Sequence, residues 1–179
     1  AMLPADHPAA SMESVPLSLF AQEPTIYPTQ SLSRDVDAVL EGLLDGTVDA
    51  IATDHAPHTA GDKKNGSPGF SGLETAFAVC YTNLVLDSGM ELTALSARMA
   101  ASPARLLALN DRGLLKEGYR ADLAIVDTEQ AWTVRGEDFQ SRGKFSPWEG
   151  EELTGLVAAT FHEGRKVWER GPAADEAAS

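Results

Sequence analysis

The sequence predicts an α/β chain that passes into a small β domain, and three observations carry that prediction. Apolar residues recur at helical spacing after Ser33 and again from Leu73, with a short, mostly apolar run, Val48-Asp49-Ala50-Ile51-Ala52, between them. A helix feeding such a run through a tight Asp45-Gly46 turn is the αβ step of a parallel sheet. After Asn110 the pattern shortens into β segments.

Composition narrows the classes of function. The 179 residues are 43% hydrophobic, so the chain can bury a core. With 14 Lys+Arg against 27 Asp+Glu, the formal charge of −13 argues against a general nucleic-acid or anionic-membrane binder. Cys80 is the only cysteine, which excludes an internal disulfide or a thiolate metal cluster and fits a reducing cytoplasm. No apolar run approaches the roughly 20 residues of a membrane helix. The N-terminus lacks a basic region followed by an apolar stretch, so no secretion signal is expected. The opening Ala1-Met2 suggests a processed chain or a piece of a longer reading frame.

The elements follow in order. Residues 1–32 form an irregular, Pro-rich arm, since Pro4, Pro8, Pro16, Pro24 and Pro28 remove backbone donors; His7 within it reads as solvated. Val36, Val39, Leu40, Leu43 and Leu44 predict a helix capped by Ser33 and stopped by Gly46. Residues 56–72 read as a long loop. A second helix carries Leu73, Ala76, Phe77, Cys80 and Leu84 on one stripe and ends at Gly89, which makes Cys80 a small buried hydrophobe. Thr93 caps a third helix ending near Ser102-Pro103, and a further turn spans residues 104–109. Leu123 to Val126 and Trp132 to Val134 are strand-like. A hairpin pairs Val157 to Phe161 with Lys166 to Trp168 through His162-Glu163-Gly164-Arg165, where Gly164 supplies a positive φ. Residues 172–179 read as a disordered tail.

The stretch that carries chemistry is Ala52-Thr53-Asp54-His55-Ala56-Pro57-His58-Thr59. It sets one carboxylate and two imidazoles just past the C-terminal end of a buried parallel strand, where loops converge on one cavity. An Asp held at a strand tip suits a metal ligand or a general base. Strand alternation turns His55 away from Asp54, and His58 can turn back toward the cavity. The blander reading has Asp54 capping a turn, His55 packed on a helix and His58 solvated.

The flanking text favours chemistry. Ala52 to Thr59 resembles the last barrel-strand motif of dihydroorotases, in the amidohydrolase superfamily. In collinear order, Pro68-Gly69-Phe70-Ser71-Gly72-Leu73-Glu74-Thr75 resembles that family's following loop and helix start. Ser102-Pro103-Ala104-Arg105 is similar to its Asn-Pro-Ala-Arg element, and Gly118-Tyr119-Arg120-Ala121-Asp122-Leu123 to its return into a small β domain. Gly143-Lys144-Phe145-Ser146-Pro147-Trp148 and Gly164-Arg165-Lys166-Val167 fit its tail. The resemblance covers about residues 33–171 and leaves residues 1–30 outside.

The resemblance implies the C-terminal part of a metal-dependent hydrolase (β/α)8 barrel, with the last βα units over residues 33–109 and strands of a small β-sandwich over 110–171. It implies a zinc-dependent, cytoplasmic, homo-oligomeric enzyme that interconverts N-carbamoyl-L-aspartate and L-dihydroorotate in pyrimidine synthesis. Asp54 matches the aspartate that contacts the metal and shuttles the proton, and His58 the histidine that binds the substrate carboxylate. Pro68 and Gly69 lie in the loop whose backbone touches the substrate ring. The family also needs a His-x-His pair, a carboxylated lysine and two further histidines. This chain has only His7, His55, His58 and His162, so the remaining zinc ligands are expected elsewhere and this length alone is expected to be inactive. Two other readings stand beside it: a non-catalytic dihydroorotase-like subunit supporting aspartate carbamoyltransferase, and another cyclic amidase such as an allantoinase or dihydropyrimidinase. The run Tyr27-Pro28-Thr29-Gln30-Ser31 lacks the family's usual Asn and Arg, which favours the first of these.

Overall fold

The structure is a computed structural model and describes residues 26–28 and 35–171. His7, Ser33 and the tail at 172–179 lie outside the described residues. Strand β1 (Ile26–Pro28) runs parallel to β2 (Ala50–Ala52), with Tyr27 opposite Ile51. The Pro-rich stretch expected to be irregular therefore supplies a neighbour for one edge of β2. A three-residue strand ending on a proline leaves no alternation for sequence reading to detect.

Helix α1 (Asp35–Asp45) joins the two strands. Its Leu43 is buried, while Leu44, expected on the same stripe, stands 42% exposed. Gly46 stops the helix with φ +94°, and the Gly42 carbonyl accepts both the Gly46 N–H at 3.1 Å and the Val48 N–H at 2.8 Å. The Asp45 carboxylate takes the Thr47 N–H and hydroxyl, each at 2.9 Å, so the turn delivers Val48 into the core.

The expected 56–72 loop contains a short helix, α2 (Ala60–Lys64). Only five residues long, it is held by its cap and not by an apolar face. Helix α3 (Ala76–Cys80) begins later than its stripe suggested, leaving Leu73 59% exposed, and continues as wider π-helical turns over Tyr81–Asp87. Helix α4 (Leu92–Ser96) starts after Glu91, with no cap from Thr93. It runs through wide turns (Ala97–Ala101) directly into α5 (Ser102–Leu106). The expected break at Pro103 does not occur, because this proline sits in the first turn of α5, where its missing N–H is tolerated.

The second sheet has the order β3-β4-β5, formed by Leu123–Thr133, Glu152–His162 and Arg165–Glu169, all antiparallel. The two short segments expected at 123–134 are one strand interrupted by register shifts. At the interruption the Asp127 carboxylate accepts the Glu129 and Gln130 N–H groups at 2.9 and 3.1 Å, a local bond that competes with the ladder. The β4–β5 hairpin turns at Glu163 (φ +50°) and Gly164 (φ +78°), as its sequence predicted.

Two apolar clusters meet at α3. Cys80, Tyr81 and Leu84 pack with Leu43, Val48, Met90 and Leu95, while Ala78 and Val79 pack with Val134, Phe139 and Leu153. The helix thereby ties the β2 region to the second sheet. Cys80 is buried as expected, and burial pushes its thiol up to about 11. Among the described residues no helix is long and apolar enough to cross a membrane.

Candidate active site

Beyond Ala52 the chain leaves β2 through Asp54, whose φ of +48° is left-handed. Asp tolerates that region better than most side chains, and the twist breaks strand alternation at the residue carrying the carboxylate. Asp54 is exposed. It faces a cavity of about 300 Å³ lined by Asp54, Ala56, His58, Pro68, Gly69 and Phe70. All four residues singled out from the sequence, Asp54, His58, Pro68 and Gly69, thus converge on one hollow. Ala56 and Phe70 were missed, because apolar side chains beside site residues carry no chemical signal of their own.

Two strips of backbone build this hollow. The Ala56 N–H donates to the Phe70 carbonyl at 2.9 Å, which lays residues 68–70 alongside 54–58. The strips are so close that a Cβ on Gly69 would lie 2.4 Å from the Ala56 oxygen and 2.9 Å from His58 Cδ2. Only glycine fits there without displacing the half-buried His58 ring. His55 points elsewhere: its Nδ1 accepts the Gly72 N–H at 3.1 Å and the Leu73 N–H at 3.3 Å, so the ring proton sits on Nε2. His55 thereby pins the strand tip to the start of α3 and does not line the cavity.

Just after His58, Thr59 and Asp62 form a reciprocal cap. The Asp62 carboxylate accepts the Thr59 N–H at 2.9 Å and its hydroxyl at 2.6 Å, and the Asp62 N–H returns to Thr59 Oγ1 at 3.3 Å. The Thr59 hydroxyl, then its N–H, hold the Asp62 carboxyl below its ordinary range, with a smaller contribution from His58. The Thr-x-x-Asp spacing is the signal by which sequence reading could have found α2.

The connection between β3 and β4 packs against the residues around the cavity. Buried Ser71 donates its hydroxyl to the Gly143 carbonyl and its N–H to the Phe145 carbonyl, the latter at 2.9 Å. Glu74 accepts the Gln140 and Ser141 N–H groups at 2.7 and 3.0 Å. Gly143 sits where a Cβ would meet Pro57 Cβ at 2.7 Å and the His58 nitrogen at 2.8 Å, so its backbone lies directly against the Pro57-His58 strip.

Among the described residues no three His, Cys, Asp or Glu side chains come together to hold a metal ion. Asp54 supplies one oxygen donor group, whereas zinc takes at least three protein ligands. The residues present therefore fit one corner of a metal centre and not a whole one.

Residues 7–167 match the model of the amidohydrolase family. The chain belongs to that family. The amidohydrolase match begins well before residue 33, so the stretch expected to lie outside the resemblance is mostly inside it. The likeness to dihydroorotases read from the motifs holds across the chain. It is 45% identical over 132 residues to the dihydroorotase of Clostridium botulinum (strain Eklund 17B / Type B), covering 74% of this chain and 33% of that protein. The dihydroorotase of Anaeromyxobacter dehalogenans (strain 2CP-C) is 39% identical over 171 residues, covering 93% of this chain and 39% of that protein. Among solved structures, the L-hydantoinase (dihydropyrimidinase) from Arthrobacter aurescens superposes with a TM-score of 0.71 at 31% identity, over 79% of this chain and 33% of that one. The chain thus spans about a third of the length of the curated relatives it matches. Its α/β part is a segment of a metal-dependent hydrolase barrel.

Proposed function

We propose that this chain forms one wall of a dihydroorotase active site, in a protein that reversibly hydrolyses the cyclic amide of L-dihydroorotate to N-carbamoyl-L-aspartate. The observation that carries this reading is the convergence of Asp54, His58, Pro68 and Gly69 on a single cavity. Support comes from the identity to dihydroorotases, which exceeds that to the L-hydantoinase.

Each residue has a chemical task on this reading. Hydrolysis forms a C–O bond at the ring carbonyl and breaks its C–N bond, so one proton must leave the attacking water and one must reach the departing nitrogen. Asp54, facing the hollow, accepts the first and returns it as the second, and the reverse order serves cyclisation. His58 presents an imidazole N–H to the substrate carboxylate, a group that a hydantoin lacks. Backbone groups of Pro68 and Gly69 face the ring, close to it because Gly69 has no side chain.

The family implies a divalent metal, and zinc fits the chemistry: when bound, it acidifies water and polarises the carbonyl. Asp54 would be one of its ligands, and the others lie beyond the described residues. On the same reading, residues 33–109 supply the last βα units of the barrel and residues 110–171 a small β-sandwich domain. The whole protein would act in the cytoplasm as a homo-oligomer, with aspartate carbamoyltransferase as a candidate partner.

Asp54→Asn tests the proposal in protein that turns over dihydroorotate. Losing the general acid–base should lower kcat by about 10²–10⁴-fold. Asn also accepts left-handed backbone, so the melting temperature should hold. Normal turnover would exclude Asp54 as the proton carrier. A second reading, another cyclic amidase, is favoured by the L-hydantoinase superposition. Preference for a hydantoin or dihydropyrimidine over dihydroorotate would establish it.

A further inference from the structure

Lys63 does not line the cavity, yet it touches the lip of the cavity from three sides. Its ammonium donates to the Pro68 carbonyl at 3.1 Å, stands 3.9 Å from the centre of the Phe70 ring and lies 5.8 Å from that of Phe145. The first two contacts fall on either side of Gly69, whose backbone abuts the His58 ring. The third reaches the Gly143–Trp148 stretch, which the proposed chemistry leaves without a role.

Lys63 is itself aimed. It lies in α2, and α2 is tied by the Thr59–Asp62 cap to the residue directly after His58. The covalent path from His58 through Thr59 to Lys63 is therefore closed into a ring by the path from Lys63 through Pro68 and Gly69 back to His58. The hydrogen bond to Pro68 needs a donor, which a cation strengthens, and the two ring faces favour a cation over a neutral group.

We propose that Lys63 is a positioning residue that clamps the Pro68–Phe70 lip, fixing the Gly69 backbone and the His58 ring in the geometry that receives substrate. This rests on the dihydroorotase reading only for the identity of the substrate. The clamp acts on ground-state binding: the lip that it holds faces the substrate ring, and Gly69 within it abuts the His58 ring that meets the carboxylate.

Two variants of the 179-residue chain test the clamp itself. Lys63→Met keeps the stem and removes the charge, whereas Lys63→Arg keeps a donor and a cation. Amide hydrogen exchange is read at Ala56, whose N–H bonds to Phe70, and at Val134, whose N–H bonds to Glu151 just beyond the paired ends of β3 and β4. Lys63→Met should speed Ala56 exchange about tenfold, with Val134 unchanged and Lys63→Arg close to wild type. In protein with dihydroorotase activity, Lys63→Met should raise KM about tenfold and leave kcat within about twofold, again rescued by Arg.

Unchanged Ala56 exchange in Lys63→Met would overturn the clamp, as would a rise shared equally by Val134, which means general loosening. Faster Ala56 exchange with an unaltered KM would reduce Lys63 to a structural residue and overturn the positioning role. If wild-type protein that carries the remaining metal ligands did not turn over dihydroorotate, the functional reading would fail instead, and the exchange arm would still decide whether Lys63 holds the lip.

Discussion

Replacing Gly69 by alanine would set a methyl carbon 2.4 Å from the Ala56 carbonyl oxygen, 2.7 Å from the Ala56 Cβ and 2.9 Å from His58 Cδ2. The nearest obstacle is backbone, and it belongs to the strip that bonds to Phe70 through the Ala56 N–H. It cannot rotate aside as a flexible side chain would. To reach ordinary contact the lip must retreat by about 1 Å, carrying Pro68 and Phe70 with it and freeing the His58 ring. Overpacking of this kind costs roughly 1–3 kcal/mol in stability. A displacement of about 1 Å at a binding surface can cost about 100-fold in kcat/KM. Urea unfolding of the 179-residue chain reads the first quantity, and steady-state dihydroorotate turnover in active protein reads the second. A Gly69→Ala variant within about 0.5 kcal/mol of wild-type stability, with kcat/KM within about twofold, would refute the close approach and the role given to this lip.

His58→Ala should raise KM for dihydroorotate about tenfold or more by removing a charge-assisted hydrogen bond, with a smaller effect on a substrate lacking the carboxylate; an unchanged KM would remove His58 from substrate binding. Cys80, buried and with its thiol pushed up to about 11, should resist alkylation at mildly alkaline pH in the folded chain and react fully in urea. Rapid labelling of the folded chain would show that this core opens. Asp122 accepts the Glu163 N–H at 2.8 Å and faces Arg120, His162 and Arg112, which together hold its carboxyl below the ordinary range, the Glu163 bond contributing most. A depressed folded-state pKa stabilises above the unfolded value of about 4. That stability is lost as pH falls through the folded value. Acid melts of wild type should therefore fall more steeply in this range than those of Asp122→Asn; equal slopes would contradict the linkage. Asp45, Asp62 and Asp111 are shifted the same way and add to this slope.

Several features were legible because they depend on short-range chemistry. Gly46 as a helix stop, Gly164 in a tight hairpin and Cys80 on an apolar stripe each follow from one residue's steric or solvation preference, and each stands where expected. The breaks that sequence reading placed between Val126 and Trp132 and at Pro103 are local signals that the surrounding structure overrode. In the first, strand pairing to β4 resumes after a bulge, and in the second the proline falls within a first helical turn. Strand β1 could not be read, because three residues ending in proline have no pattern and gain their order only from the parallel partner.

The candidate site divides the same way. A Thr-Asp-His-Ala-Pro-His string and a Pro-Gly pair named Asp54, His58, Pro68 and Gly69, because reactive groups and the absence of a side chain are written in residue types. That these residues share one hollow, that His55 turns away to cap two amides, and that Lys63 reaches across to Pro68 and Phe70 came from the fold alone. The physical reason is range: steric and hydrogen-bonding preferences act over a few residues. The approach of two distant strips to within contact distance is set by the packing of α3 between two cores and by the backbone bonds that this packing brings into register.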